Sequence, residues 1–398
     1  MSRPDRPPVI VAGGAANALF IGRSLAALGV RVHGLGVHPA VAASRFVHAV
    51  AVPQDGEPEE RWAEYLLGPD VAPLHGAVLV AGSDVGITVI ARHRAALLER
   101  YRLDISDVDA QLALLDKLST YRMATAAGVP TPRYWCVEGA EDLERQRDEY
   151  VYPLIVKPLL SHRYQAKLPA WGKFRVAHDL AELRAVHGEV TAAGLAVMIT
   201  EQIPGPDTLL CSYNTYLDAS GSPMFDFTKR TLRRFPPGMG LGSHHLSDHN
   251  PEVKEVALRL FKHAGLRGVA NAEFKRDTRD GQLKLIECNA RFTDAAPLWG
   301  AAGFDMARHV YFQVLGEPHE LPSSYRSGQR MVYPFNDLRA FRILHARGEL
   351  SFGAWLKDMA HPQVWPFFRL DDPGPALVRA RARVAPFVRA RTRRLRRG

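Results

Sequence analysis

Leu283-Lys284-Leu285-Ile286-Glu287-Cys288-Asn289-Ala290-Arg291 alternates polar and apolar side chains. A period of two predicts a strand, with Glu287, Asn289 and Arg291 on one face and Ile286, Cys288 and Ala290 turned to a core. A second strand is predicted around residues 269–275, carrying Glu273, and the turn-forming segment 277–281 joins the two as a hairpin. In an antiparallel pair, residues on the same side have numbers with an even sum unless a bulge intervenes, so Glu273 and Glu287 project together. Like charges across a strand pair are unfavourable unless something positive sits between them. Two carboxylates and an amide oxygen are hard ligands suited to Mg²⁺, and an arginine beside them suits phosphate. The plainer alternative is a solvated sheet face bearing two unconnected glutamates.

The 398 residues are enough for two or three domains with real cores, and 46% hydrophobic residues is an ordinary globular share. The net charge of +9 is local: the last twenty residues hold nine arginines and no acid, and setting them aside leaves 42 basic against 42 acidic residues. The basic balance therefore describes a tail and excludes a nucleic-acid-binding body. Cys136, Cys211 and Cys288 are isolated, so neither a disulfide framework nor a thiolate zinc site is indicated, and a reducing compartment fits. Residues 7–22 carry no charge, as a signal-peptide core would. Gly13, Gly14 and Asn17 suit a turn better, and the run is too short to span a bilayer.

Along the chain, Val9 to Ala12, the Gly13-Gly14 turn, a helix over 18–28 and a strand over 30–35 read as a βαβ unit. The turn lacks a full G-x-G-x-x-G for a dinucleotide site, and the helix N-terminus can also hold a carboxylate. Asp84 follows a further strand and reads as a crevice residue or a helix N-cap. Residues 107–127 read as one helix containing Asp116 and Lys117, ended by Gly128-Val129-Pro130-Thr131-Pro132. Lys157 sits between an apolar strand and a proline, where burial demands a partner; an anion is one candidate, and a stem snorkelling to solvent is the alternative. Residues 159–173 form a polar loop, and strands are expected over 209–217 and 224–230. The basic run from Lys229 to Arg234 meets an anionic substrate or is a solvated loop. His244, His245, Asp248 and His249 raise a zinc reading that no HExxH or cysteine supports.

Taken in order, Asp116-Lys117, Val156-Lys157-Pro158, Glu201-Gln202-Ile203-Pro204-Gly205, Glu273-Phe274-Lys275 and Glu287-Cys288-Asn289-Ala290-Arg291 resemble the motifs of the ATP-grasp superfamily over about residues 9–325. The likeness is to carboxylate–amine ligases in the manner of D-aspartate ligase and, more distantly, biotin carboxylase. It implies an α/β chain of the α+β ATP-grasp type. An N-terminal βαβ pre-ATP-grasp domain would span residues 1–115. An ATP-grasp domain would span 116–325, with a small lid subdomain at about 130–200 and an antiparallel-sheet catalytic subdomain. Residues 326–398 would form a C-terminal extension with a basic tail at 377–398.

The same resemblance implies ATP and Mg²⁺ as cofactors. Lys117, Lys157 and Lys173 would hold phosphates, and the backbone of Glu201, Gln202 and Ile203 would contact adenine. Asp207 would bind ribose, Glu273, Glu287 and Asn289 would ligate two Mg²⁺ ions, and Arg291 would steady the transferred phosphoryl group. Lys229 and Arg230 are expected at the reacting groups, with Arg230 and Arg233 facing a second substrate carboxylate. The lid loop departs from the family's Gly- and Ser-rich pattern, reading Ser161-His162-Arg163-Tyr164-Gln165.

The expected activity is a cytoplasmic ligase that activates a carboxylate as an acyl phosphate and joins it to an amine, releasing ADP and phosphate. The expected partners are small-molecule acids and amines, amino acids among them, and no nucleic acid; a homodimer is one assembly to expect. The basic tail could rest on an anionic membrane surface at the inner face, or be a solvated end. The rivals are an ATP-binding regulatory protein without turnover and an NAD(P)-linked enzyme built on the first βαβ unit.

Overall fold

The computed structural model describes residues 6–52, 55–160, 167–168 and 174–383. Two compact units divide the chain: Met1–Asp104 with Phe292–Leu321 and Val364–Gly398, and Ile105–Arg291 with Pro322–Gln363.

In the first unit a parallel sheet runs in the order β3 (His48–Val50), β2 (Val32–Leu35), β1 (Val9–Ala12), β4 (Val78–Ala81), β5 (Arg102–Leu103). Every residue of β1 is buried, as a central parallel strand requires. Helix α1 (Ala16–Ala26) follows the glycine turn, two residues earlier than its apolar pattern suggested. Gly13 has φ +80°, and a Cβ there would lie 2.1 Å from Ser83 Oγ. The N-terminus of α1 is already occupied: the Asp294 carboxylate accepts from Ala16 N at 3.0 Å and from Asn17 N at 3.3 Å. The carboxylate that this helix end could hold is therefore the chain's own. A pyrophosphate would meet it as a like charge, which corrects the dinucleotide reading. Ser83, not Asp84, caps the helix Asp84–Arg92, its Oγ accepting from Gly86 N.

In the second unit a four-stranded sheet, in the order β6 (Tyr134–Cys136), β9 (Val197–Glu201), β7 (Leu154–Pro158), β8 (Arg175–Ala177), carries its own core around Leu154, Val156, Leu183 and Ile199. A larger antiparallel sheet runs β14 (Leu283–Asn289), β13 (Gly268–Arg276), β10 (Leu210–Leu217), β11 (Phe227–Phe235), β12 (Leu241–Asp248), β15 (Arg330–Val332). The helix Pro251–His263 buries Val253, Val256, Ala257, Leu260 and Phe261, one stripe at helical spacing, in a core shared with Phe274, Leu285 and Cys288. Asn250 caps it and Pro251 opens it, both at the positions these residues favour.

Three local expectations change. The helix expected over 107–127 breaks at Asp116, whose extended backbone ends one helix (Val108–Leu115) and whose carboxylate caps the next (Lys117–Ala126) at Ser119 N. Residues 231–235, expected as a basic loop, continue strand β11. Ile286 is the extra residue of a bulge between the pairs Glu273–Glu287 and Phe274–Leu285, so Leu285, not Ile286, takes the core position.

Candidate active site

The site is a transverse row on one face of the large sheet. Glu287 pairs with Glu273, Glu273 with Ser212, Ser212 with Lys229, and Lys229 with Ser247, so five side chains from five strands share a face. Lys229 is 4% exposed, and its Nζ lies 3.8 Å from Glu273 Oε1. Two residues along, on the same face, Asn289 pairs with Asn271 and Asn271 with Asn214. Arg230 is one residue from Lys229 and so points to the opposite face, exposed, its Nε 3.7 Å from Asp248. The structure does not bring it to the glutamates.

Lys157 reaches this region from β7. It is buried, and its Nζ donates to the hydroxyl of Tyr121 at 3.1 Å, with the ammonium 5.4 Å from the ring centroid. Burial lowers its pKa to about 8, offset only in part by the negative charge of Glu287. Tyr121 in turn donates to the carbonyl of Ile286 at 3.3 Å and ties this pair to β14. Lys117 is the first residue of its helix, and its backbone N–H donates to the Leu159 carbonyl at 3.3 Å.

The segment after β9 is held by a second set of charges. Glu201 accepts from Arg133 N at 3.0 Å and pairs with Arg279 at 2.8 Å, while Lys284 lies 2.7 Å from Asp277. Burial opposes ionisation of Glu201, but the bonds from Arg279 and the Arg133 amide outweigh it and hold the carboxyl below its usual range. The side chain of Glu201 is thus fully engaged, and its backbone N–H donates to the Arg133 carbonyl at 3.0 Å. Gln202 N donates to Pro153 O at 3.2 Å. Lys275, on the same face as Glu273, donates to the carbonyls of Ile203 at 2.9 Å and Gly205 at 2.6 Å. Asp207 spends one oxygen on Arg234 at 2.9 Å and the other on Gly238 N at 3.0 Å.

Arg233 does not face a substrate. It is 3% exposed and bonds Asp337 at 2.8 Å and Asp358 at 2.6 Å, so it ties helices Pro334–Ala346 and Phe352–Met359 to the sheet. The zinc reading also falls. His244 and His245 take opposite faces of β12, and His244 is a neighbour of Arg233, where burial and that charge lower its pKa to about 4. Among the described residues no three His, Cys, Asp or Glu side chains converge as a metal site. Arg291 follows the end of β14 and is half-buried. Lys173 and Ser161 to Gln165 lie outside the described residues, as do residues 384–398 of the basic tail. No described helix is long and apolar enough to cross a membrane.

The row fits a divalent cation on chemical grounds. Two carboxylates face each other directly across a strand pair, an amide oxygen lies two residues away, and two buried lysines stand nearby. Hard oxygen donors with neighbouring ammonium groups suit Mg²⁺ held against phosphate oxygens. Tyr121 and Asn271 escaped the sequence reading, and Lys275 stood in the Glu273-Phe274-Lys275 motif without a role. Asn271 and Lys275 sit two residues either side of Glu273, so the period-two rule could have put both on its face.

No protein-family model matches the chain. It is 22% identical over 241 residues to D-aspartate ligase of Enterococcus faecium, a match covering 58% of this chain and 57% of that protein. The chain thus spans a little over half the length of this curated relative. The biotin carboxylase domain of Hydrogenobacter thermophilus 2-oxoglutarate carboxylase, solved with MgADP, ADP and bicarbonate, superposes with a TM-score of 0.63 at 16% identity, covering 82% of this chain and 74% of that one. N5-carboxyaminoimidazole synthetase of Staphylococcus aureus, solved with ADP, gives a TM-score of 0.62 at 15% identity over 83% and 82%. The chain has the fold of these proteins, the ATP-grasp fold that its ordered motifs implied.

Proposed function

We propose that the protein is an ATP-dependent ligase that activates a small carboxylate as an acyl phosphate and joins it to an amine, releasing ADP and phosphate. The observation that carries this reading is the pairing of Glu273 with Glu287 in a row that also holds buried Lys229, with buried Lys157 close to Glu287. ADP in the two solved neighbours and the curated likeness to D-aspartate ligase support it.

The physical problem is an anionic carboxylate attacking an anionic γ-phosphate. Mg²⁺ held by Glu273, Glu287 and Asn289 would supply charge neutralisation between the phosphates. Lys157 and Lys117 would hold phosphate oxygens, with Tyr121 fixing where the Lys157 ammonium sits. Lys229 and Arg291 would stabilise charge that develops on the transferred phosphoryl group, the use to which preorganised cations are best suited. Lys275 would keep the Ile203 and Gly205 backbone in place for the adenine and ribose. The incoming amine then attacks the acyl carbon, a C–N bond forms, the C–O bond to phosphate breaks and the amine loses a proton.

The test is ADP release with pooled amino acids, comparing the wild type with Glu287→Ala. The expected result is substrate-dependent release by the wild type that is lost in the variant. Equal substrate-dependent turnover in both would remove the metal assignment. Tight ATP binding without turnover for any acid offered would favour a regulatory role instead.

A further inference from the structure

Asn289 has one oxygen and one nitrogen at the tip of its side chain, and only the oxygen can ligate a cation. Something must therefore decide which end faces the site. The structure shows a chain of amides that does this. Asn289 Nδ2 donates to Asn271 Oδ1 at 3.2 Å. Asn271 Nδ2 donates onward to Asn214 Oδ1 at 2.8 Å and to the backbone carbonyl of Tyr213 at 3.4 Å. Asn214 Nδ2 then donates to Ser212 Oγ at 3.4 Å. Asn271, Asn214 and Ser212 are completely buried, so no water competes for these groups.

The polarity of the chain has a fixed origin. A backbone carbonyl accepts and never donates, so the Tyr213 carbonyl requires the nitrogen end of the Asn271 amide on its side. The oxygen of Asn271 then faces β14, and that oxygen requires the nitrogen of Asn289. The Asn289 oxygen is thereby turned away from Asn271. Reversing Asn289 would set two amide oxygens against each other beside a buried strand, an unfavourable contact in a low-dielectric site.

We propose that Asn271 is a positioning residue for the cation site: it selects the amide orientation of Asn289 that presents Oδ1 as a ligand. The proposal rests on the ligase reading's assignment of Glu273, Glu287 and Asn289 to Mg²⁺. Partners that orient metal ligands cost about tenfold to a hundredfold in metal affinity when removed.

The experiment titrates Mn²⁺ into the protein in the presence of ADP and follows free Mn²⁺ by electron paramagnetic resonance. Asn271→Ala is expected to weaken Mn²⁺ by about tenfold to a hundredfold. The decisive comparison is the same substitution in an Asn289→Asp background. A carboxylate has an oxygen at both ends, so it has no wrong orientation. There Asn271→Ala should cost nothing, and should relieve the repulsion between the new carboxylate and Asn271 Oδ1. Asn271→Thr, which keeps a strand-favouring side chain too short to reach Asn289, repeats the test if the alanine protein folds poorly, as judged by thermal melting. Unchanged affinity in Asn271→Ala, or an equal loss in both backgrounds, would overturn the proposal, the second result marking a merely structural role. Asn289→Ala with wild-type Mn²⁺ affinity would instead remove the cation assignment on which the proposal stands, and so separates the two failures.

Discussion

Replacing Lys157 by methionine should stabilise the empty protein and weaken its hold on nucleotide, both with a defined pH dependence. The side chain is buried, and it donates to the Tyr121 hydroxyl. Burial takes its pKa from 10.5 to about 8. An unfolded chain would keep this amine charged up to about pH 10.5, whereas the folded chain releases the proton from about pH 8 upward. Below pH 8 both states are charged and the full cost of burying the charge is present. Above 10.5 neither is charged and the cost is gone. The contribution of Lys157 to stability should therefore rise between pH 8 and 10.5. The gap corresponds to roughly 3 kcal/mol. Lys157→Met keeps the apolar stem and removes the charge, so at pH 7 it should be more stable than the wild type by up to about 3 kcal/mol, an advantage that should vanish between pH 8 and 10.5.

Nucleotide binding reverses the preference. Phosphate oxygens beside Lys157 favour the ammonium, so the bound state holds its proton to higher pH than the free state. With a free-state value of about 8, only about a tenth of the protein carries the charge at pH 9. ADP affinity measured by titration calorimetry should fall about tenfold between pH 7 and 9, with proton uptake revealed by repeating the titration in buffers of different ionisation enthalpy. Lys157→Met should bind more weakly at pH 7 and show neither the fall nor the uptake. A flat wild-type profile, or the same slope in both proteins, would refute the assignment of this lysine to phosphate.

Arg233→Ala leaves Asp337 and Asp358 without the guanidinium that bonds both, and should cost about 3–5 kcal/mol in urea denaturation; a loss below about 1 kcal/mol would mean the two acids find other partners. Lys275→Met removes the bonds to the Ile203 and Gly205 carbonyls. Losing about 1.5 kcal/mol of support should weaken ADP by about tenfold, and unchanged affinity would separate that backbone from the nucleotide.

The hairpin with its facing glutamates was legible because it obeys a short-range rule: alternation fixes the face and number parity fixes the partner. The rest of the row was not. Lys229 joins Glu273 only through the registers of β10 with both neighbours, and those registers link residues 229 and 273 that lie far apart in sequence. Alternation alone would have separated Lys229 from Arg230, since both lie inside the strand expected over 224–230. The partner of Lys157 could not be read either, since Tyr121 is 36 residues away on a helix whose start at Lys117 depends on Asp116 serving as a cap. Asp294 at the N-terminus of α1 is a similar case: 278 residues separate it from Ala16.

The carboxylates of this chain argue for the site by contrast. Asp277 has Lys284 and Arg279, Glu201 has Arg279 and the Arg133 amide, Asp207 has Arg234 and the Gly238 amide, and Asp337 has Arg233 and Trp355. Each is closed by donors at hydrogen-bond distance, as buried acids must be. Glu273 is different: it stands opposite another glutamate, and the cation that pairs with it, Lys229, is 3.8 Å away. Direct cross-strand pairing of like charges costs stability. We propose that a cation from solution completes the pairing, which would put the reason for Glu273 in binding and not in folding.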